Sequence, residues 1–256
     1  MSRLIPLGVN GFIPTYGRQT MSYLLLLTDT AILLDAGSGV ARLLEPRIAA
    51  MLEPYNSLNI VLSHYHLDHV IGLSYLPGML GKKPVAIYAP SEPLVRASAT
   101  TALGDLIRPP FFPLTFAEYP MPVTIAPMTT ERVQIGSVSV LLRPQNHAGG
   151  SVGMRIGDVA YTTDTVVDQG TADFVRGARL LLHEVWLEDA AEARRTGHSD
   201  ASGVAGLAAE AGVGSLMIVH HHPRRSPDDV RLLAEAMQRQ TTITIIAPEE
   251  GKVYEF

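Results

Sequence analysis

Short apolar runs, each closed by turn residues, recur along the chain. Residues 23–27, 31–34, 59–62, 85–88, 138–142, 159–161, 180–182, 216–219 and 243–246 read as strands. Residues 40–51, 201–211 and 227–240 read as helices. The second helix is marked at both ends, by Ser199 as a cap and Gly212 as a stop. Strands come first, then strands mixed with helices, then a second strand series. That order predicts an α/β fold of two sheets packed face to face with helices outside. With no repeat or low-complexity linker, residues 1–256 are expected to form one domain.

One stretch departs from the pattern. Residues 77–127 are rich in proline, with Arg108-Pro-Pro-Phe-Phe-Pro113 at the centre, and proline removes donors and fixes the backbone. Regular structure is therefore not expected there. Two readings stand: an irregular crossing whose Phe111 and Phe112 plug into the core, or a lid over a pocket.

Composition narrows the class. A hydrophobic share of 46% suits a packed core and excludes disorder. No stretch approaches the roughly 20 apolar residues a membrane span needs. The opening residues do not form a secretory signal, so the cytoplasm is the expected compartment. Cysteine is absent, which excludes disulfides and thiolate metal sites. The formal net charge is −5, and the basic pairs Arg194-Arg195 and Arg224-Arg225 are local. This balance disfavours a large nucleic-acid partner and is compatible with a small phosphorylated substrate. It leaves oligomeric state open, a homodimer included.

Chemistry collects where strands end. The 59–62 run leads into His64-Tyr-His66-Leu-Asp68-His69, and the 138–142 run leads to His147. Asp164 follows 159–161, His183-Glu184 follows 180–182, and His220 follows 216–219. In layered α/β proteins that end of the strands is where ligands bind. His64 and His66 alternate along an extended segment, so both imidazoles face one side and can reach one ion. Asp68 and His69 follow as the chain turns, placed for a neighbouring ion. Imidazole and carboxylate are zinc donors.

His64-x-His66-x-Asp68-His69 with Gly72 resembles the signature of the metallo-β-lactamase fold hydrolases. Residues 23–27, followed by Leu33-Leu-Asp35-Ala-Gly37, resemble that family's opening strand pair and its Asp-x-Gly turn. The resemblance covers nearly the whole chain and implies a four-layer αββα sandwich. It implies that His64, His66 and His147 bind one metal, that Asp68, His69 and His220 bind a second, and that Asp164 bridges them. His220 is taken from the run His220-His221-His222 because it directly follows the strand and precedes Pro223.

The C-terminal third is similar to the ribonuclease Z branch. Leu181-Leu-His183-Glu184-Val-Trp186, Gly197-His198-Ser199 and His220-x-x-Pro223-Arg224 carry that likeness. It implies a Glu184–His198 pair facing a scissile phosphate, with Glu184 favouring the charged imidazole, while His183 is structural. The protruding tRNA-binding arm of ribonuclease Z is missing, because residues 140–151 form a tight segment. The implied function is hydrolysis of a small or cyclic phosphodiester or nucleotide by two zinc ions, which activate water and clamp phosphate oxygens. Manganese and iron suit the same donors. Asp68 would also hold the nucleophile's proton, and Phe111 and Phe112 would stack a base or another apolar group. The alternatives are a tRNA 3′-processing endonuclease, a zinc lactonase or thioesterase, and an iron-dependent oxidoreductase of the same fold.

Overall fold

The computed structural model describes residues 2–256. The first sheet starts as an antiparallel meander of β1 (Arg3–Gly8), β2 (Ser22–Leu26) and β3 (Ala31–Leu34). It continues parallel to β3 with β4 (Leu58–Val61), β5 (Val85–Pro90) and β6 (Val123–Met128). The second sheet repeats this plan. Its meander is β7 (Arg132–Ile135), β8 (Val138–Gln145), β9 (Ser151–Ile156) and β10 (Val159–Thr162). Its parallel half adds β11 (Leu180–Glu184), β12 (Ser215–Val219) and β13 (Thr244–Ile246). The C-terminal β14 (Tyr254–Glu255) returns to pair with β1, so each sheet has seven strands among the described residues.

Helices α1 (Pro46–Leu52), α2 (Leu67–Val70) and α3 (Ala99–Leu106) accompany the first sheet. Helices α4 (Gln169–Val175), α5 (Ala190–Thr196), α6 (Ala201–Glu210) and α7 (Pro227–Gln238) accompany the second. Three apolar layers result. Ile5, Leu24, Leu33 and Ile60 pack against Val40, Ile48, Leu73 and Leu103 on one outer face. Tyr23, Ile32 and Val61 meet Met154, Tyr161 and Met217 between the sheets. Leu181, Leu216 and Ile218 meet Val204, Leu207 and Met237 on the other outer face. This is the expected αββα sandwich. Both sheets are covered on both faces, which is why the strands read as continuous apolar runs rather than alternating ones. Among the described residues no helix is long and apolar enough to cross a membrane.

Three local expectations are corrected, and one strand is added. The helix expected at 40–51 is two pieces, a 3₁₀ segment Ser38–Leu44 and α1, because Glu45 precedes Pro46 and adopts an extended backbone. The cap of α6 is Asp200, which accepts the Gly203 N–H at 2.9 Å, while Ser199 donates its hydroxyl to the Thr165 carbonyl at 2.6 Å. Beyond the expected strand at 85–88, which is β5, residues 77–127 are not irregular throughout, since they also contain α3 and most of β6. Pro127 is tolerated because β6 is an edge strand, where a missing donor faces no neighbour. Finally, β1 forms despite Pro6: β14 covers only Arg3 and Leu4, and the pairing with β2 shifts between Pro6 and Gly8.

The Asp200 cap gives a stability prediction. Asp200→Ala should cost about 0.5–2 kcal/mol in urea unfolding, with α6 still formed at low denaturant. An unchanged midpoint would mean that the cap contributes nothing.

Candidate metal centre

The carboxyl ends of β3, β4, β8, β10, β11 and β12 meet along one edge of the sandwich, where the polar side chains gather. His64, His66, His147 and Asp164 offer atoms that all lie within 4.8 Å of one another, and so do Asp68, His69 and His220. His221 and His222 lie outside both groups. Every residue expected at the metals is therefore brought to one place.

Asp35, at the end of β3, organises this edge. Its fully buried carboxylate accepts four hydrogen bonds: the Ser63 N–H at 2.7 Å, the Ser63 hydroxyl at 2.8 Å, His69 Nδ1 at 2.8 Å and the Tyr161 hydroxyl at 2.6 Å. A carboxylate only accepts, so His69 carries a proton on Nδ1, and the neutral ring, as a ligand, would present its lone pair on Nε2. Ser63 points its own hydroxyl hydrogen at Asp35, so its oxygen accepts from His64 Nδ1 at 3.0 Å, and Nε2 of His64 is left as an acceptor. His147 Nδ1 faces the Gly197 carbonyl at 3.0 Å with the same outcome. Three imidazoles are thereby fixed with bare Nε2 atoms turned inward.

Two of those inward atoms lack partners of their own. His64 Nε2 and His69 Nε2 are buried with no hydrogen bond. The spacings are informative. Asp164 Oδ2 lies 3.6 Å from His64 Nε2 and 3.4 Å from His147 Nε2. Its other oxygen, Oδ1, lies 3.3 Å from His69 Nε2 and 3.1 Å from His220 Nε2. Asp68 Oδ2 is 3.4 Å from His69 Nε2 and 3.3 Å from His220 Nε2, and His66 Nδ1 is 3.3 Å from His147 Nε2. Donors at about 2.0–2.1 Å from a tetrahedral zinc are separated by about 3.3–3.4 Å. The edges match such a polyhedron better than a set of hydrogen bonds, so the donors fit a divalent cation.

Electrostatics agree at the carboxylates and at His64, whereas His69, despite burial, is pushed up by Asp68, Asp164 and Asp35 around it. Burial opposes charge throughout, yet the neighbouring His69 and His220 hold the Asp68 carboxyl well below the usual carboxylate range. Asp164 is held down despite burial by His220, His69 and His64. Burial, with His69 alongside, pushes the His64 imidazole far down, leaving it neutral as a ligand must be.

Beside this cluster, His198 Nδ1 sits 3.0 and 3.1 Å from the two oxygens of Glu184, which also accepts the Thr165 N–H at 2.6 Å. The expected pair is formed, but its expected charge is corrected. Burial lowers the His198 imidazole below its ordinary value, while burial and then Asp164 push the Glu184 carboxyl well up. Desolvation outweighs the pairing. His183 is fully buried on the same strand, with Nδ1 on the Glu184 carbonyl at 2.8 Å, and burial takes it down to about 4.

Two contributors had no role assigned in the sequence reading. The β1–β2 loop reaches the cluster: the Phe12 N–H donates to Asp68 Oδ2 at 2.6 Å, and a Cβ on Gly11 would collide with the His220 ring. Trp186 lies against His198, His220 and His222. Gly11 is distant in sequence from the histidine motifs, and composition gives no signal for it, whereas Trp186 stands two residues after Glu184 in the 181–186 motif and only its contacts are new. Phe111 and Phe112 are not in the cluster. They line a cavity of about 650 Å³ with Tyr65, Leu67, Ile71 and Leu103. Phe112 also packs on Tyr119 in the core, whereas Phe111 is 81% exposed.

A sequence model of the beta-lactamase superfamily domain matches residues 30–221, three quarters of the chain and every strand that delivers a side chain to the cluster. The chain belongs to the beta-lactamase superfamily. It is a hydrolase of the metallo-β-lactamase fold. Among its superfamily relatives, a protein named ribonuclease Z from Methanosarcina mazei is 26% identical, with 89% of this chain and 90% of that one aligned. The crystal structure of the metallo-β-lactamase fold protein YhfI from Bacillus subtilis superposes with a TM-score of 0.78 at 20% identity, covering 99% and 98% of the two chains. A diphosphatase of the PhnP family superposes with a TM-score of 0.71 at 17% identity, covering 100% and 98%.

The Asp35 network predicts graded losses. Tyr161→Phe removes one of four donors and should cost about 1–2 kcal/mol in denaturant unfolding. Asp35→Ala strands three partners at once and should cost more than about 3 kcal/mol. Equal, small losses in the two variants would show that Asp35 is not the hub.

Proposed function

We propose that this chain is a metal-dependent phosphodiesterase acting on a small or cyclic phosphodiester or nucleotide. His64, His66 and His147 would hold one ion, Asp68, His69 and His220 a second, and Asp164 both, with zinc expected. When bound, such ions supply Lewis acidity to phosphate oxygens and lower the pKa of water.

The observation that carries the reading is the Glu184–His198 pair beside the metal cluster. Proximity also groups His198 with Asp164 and His220. Counting donors supports a separate role, because each proposed ion already has four protein ligands without it. With Nδ1 committed to Glu184, Nε2 is the nitrogen left to reach substrate. There His198 would give its Nε2 proton to the departing alkoxide while Nδ1 takes the proton of Glu184, which holds the ring in place and ends as the carboxylate. An ester or lactone hydrolase needs no such acid beside its metals.

Substrate size follows from the surroundings. Strands β8 and β9 are joined by residues 146–150 alone, leaving no room for a tRNA-gripping arm between them. The net charge is −5. The apolar cavity lined by Tyr65 and Leu67, the chain neighbours of His66, and by Phe111 and Phe112 suits a base or another apolar group of a small substrate, with residues 108–113 as its lid. The names of the similar proteins, a ribonuclease and a diphosphatase, point to phosphate chemistry.

His198→Ala tests the reading. On a diester with an alkyl leaving group, kcat and kcat/KM should both fall about 10²–10⁴-fold. On bis-p-nitrophenyl phosphate, whose leaving group needs little protonation, the loss should be much smaller. Near-normal alkyl-diester rates in this variant would move a lactonase or thioesterase ahead. Site-specific cleavage of precursor tRNA by the wild type, with poor small-diester turnover, would contradict the substrate class.

A further inference from the structure

Trp186 is the chain's one tryptophan, and it stands half-buried among three histidines. Its ring lies 4.9 Å from that of His198 at an interplanar angle of 26°, 5.0 Å from His220 at 40° and 4.7 Å from His222 at 55°. The backbone that places it is tied on both sides. The Trp186 N–H donates to the Ser199 carbonyl at 3.1 Å, and Arg225 Nη1 donates to the Val185 carbonyl at 2.6 Å. Residues 187 and 200 form a bridge just beyond.

The polar contacts of His198 leave its ring under-restrained. Both Glu184 oxygens meet the same atom, Nδ1, so they fix where that nitrogen sits but not the ring plane about it. A second restraint must come from contact with the ring face. His147 approaches at 5.1 Å but tilted by 59°, and His220 at 5.5 Å and 22° is the more distant of the near-parallel rings. The indole is the larger surface and the nearer one.

We infer that Trp186 is a positioning residue for His198: stacked on the imidazole, the indole sets the plane in which Nε2 is presented to substrate. This rests on the reading of His198 as the acid. Trp186 makes no contact with the scissile bond in this scheme and acts through the imidazole alone. Its effect therefore requires His198.

A double-mutant cycle with the metal-loaded enzyme tests it, using an alkyl-leaving-group diester and bis-p-nitrophenyl phosphate. Trp186→Ala should lower kcat on the alkyl diester by about 2- to 10-fold, the worth of one aromatic stack. KM and metal content, the latter by elemental analysis, should hold, and the p-nitrophenyl diester should be nearly unaffected. Trp186→Phe, which keeps a flat face, should recover most of the rate. In the His198→Ala background, Trp186→Ala should cost nothing more. If Trp186→Ala does not purify folded, Trp186→Leu makes the same comparison, keeping bulk without the aromatic face. Equal losses with and without His198, loss of metal, or a wild-type kcat would each overturn the inference. Those outcomes are separable from failure of the functional reading, in which His198→Ala itself keeps its rate on the alkyl diester.

Discussion

The buried Asp35 carboxylate is the contact on which the arrangement of the centre depends. It lies at the end of β3 in the first sheet and accepts from Tyr161 on β10 in the second, so one side chain ties the two sheets together at the edge that carries the chemistry. Through Ser63 it sets the proton of His64, and directly it sets that of His69. A carboxylate with no exposure is costly unless its lone pairs are met, and here four donors meet them. The same bonds that make its burial tolerable orient two imidazoles of two different clusters. Stability of the sandwich and preorganisation of the site are thus one network.

Backbone strain is concentrated at the same edge. Asp35, Asp164 and His220 have φ of 56°, 47° and 54°, in the left-handed region that L-residues seldom enter. Each costs on the order of 1–3 kcal/mol and survives only where its surroundings over-determine it. For Asp35 the Val61 carbonyl and the four side-chain donors do so, and for Asp164 the Ser151 hydroxyl grips its carbonyl at 2.8 Å. For His220 the constraint is steric, since Gly11 packs directly on its ring. A strand that ends this way turns its last side chain out of the pleat and toward its neighbours across the edge. The histidines and aspartates converge because the strands stop abruptly.

Much of this was legible in the sequence, for a physical reason. Strands buried on both faces appear as uninterrupted apolar runs, and a polar residue directly after such a run is conspicuous. His64, Asp164, Glu184 and His220 were found that way. Contacts that depend on chain return were not legible. Strand β1 is broken by Pro6, β14 is two residues long, and the Gly11–Phe12 loop shows its purpose only when seen against His220 and Asp68. The 40–51 segment looked like one helix because apolar spacing continues through Glu45, while the pre-proline constraint at Pro46 acts on the backbone alone. The charge of the Glu184–His198 pair was misjudged because pairing is visible in a motif and burial is not.

On the proposed reading, one edge of the sandwich would hold two divalent ions through two donor sets sharing Asp164. Elemental analysis of protein purified without chelator and reloaded with zinc, run on the wild type, His64→Ala and His220→Ala, tests it most directly. The account predicts about two ions per chain in the wild type and about one in each variant, since each substitution removes a ligand of a different ion. A wild type that takes up only traces of zinc, or a variant that binds as much as the wild type, would contradict it.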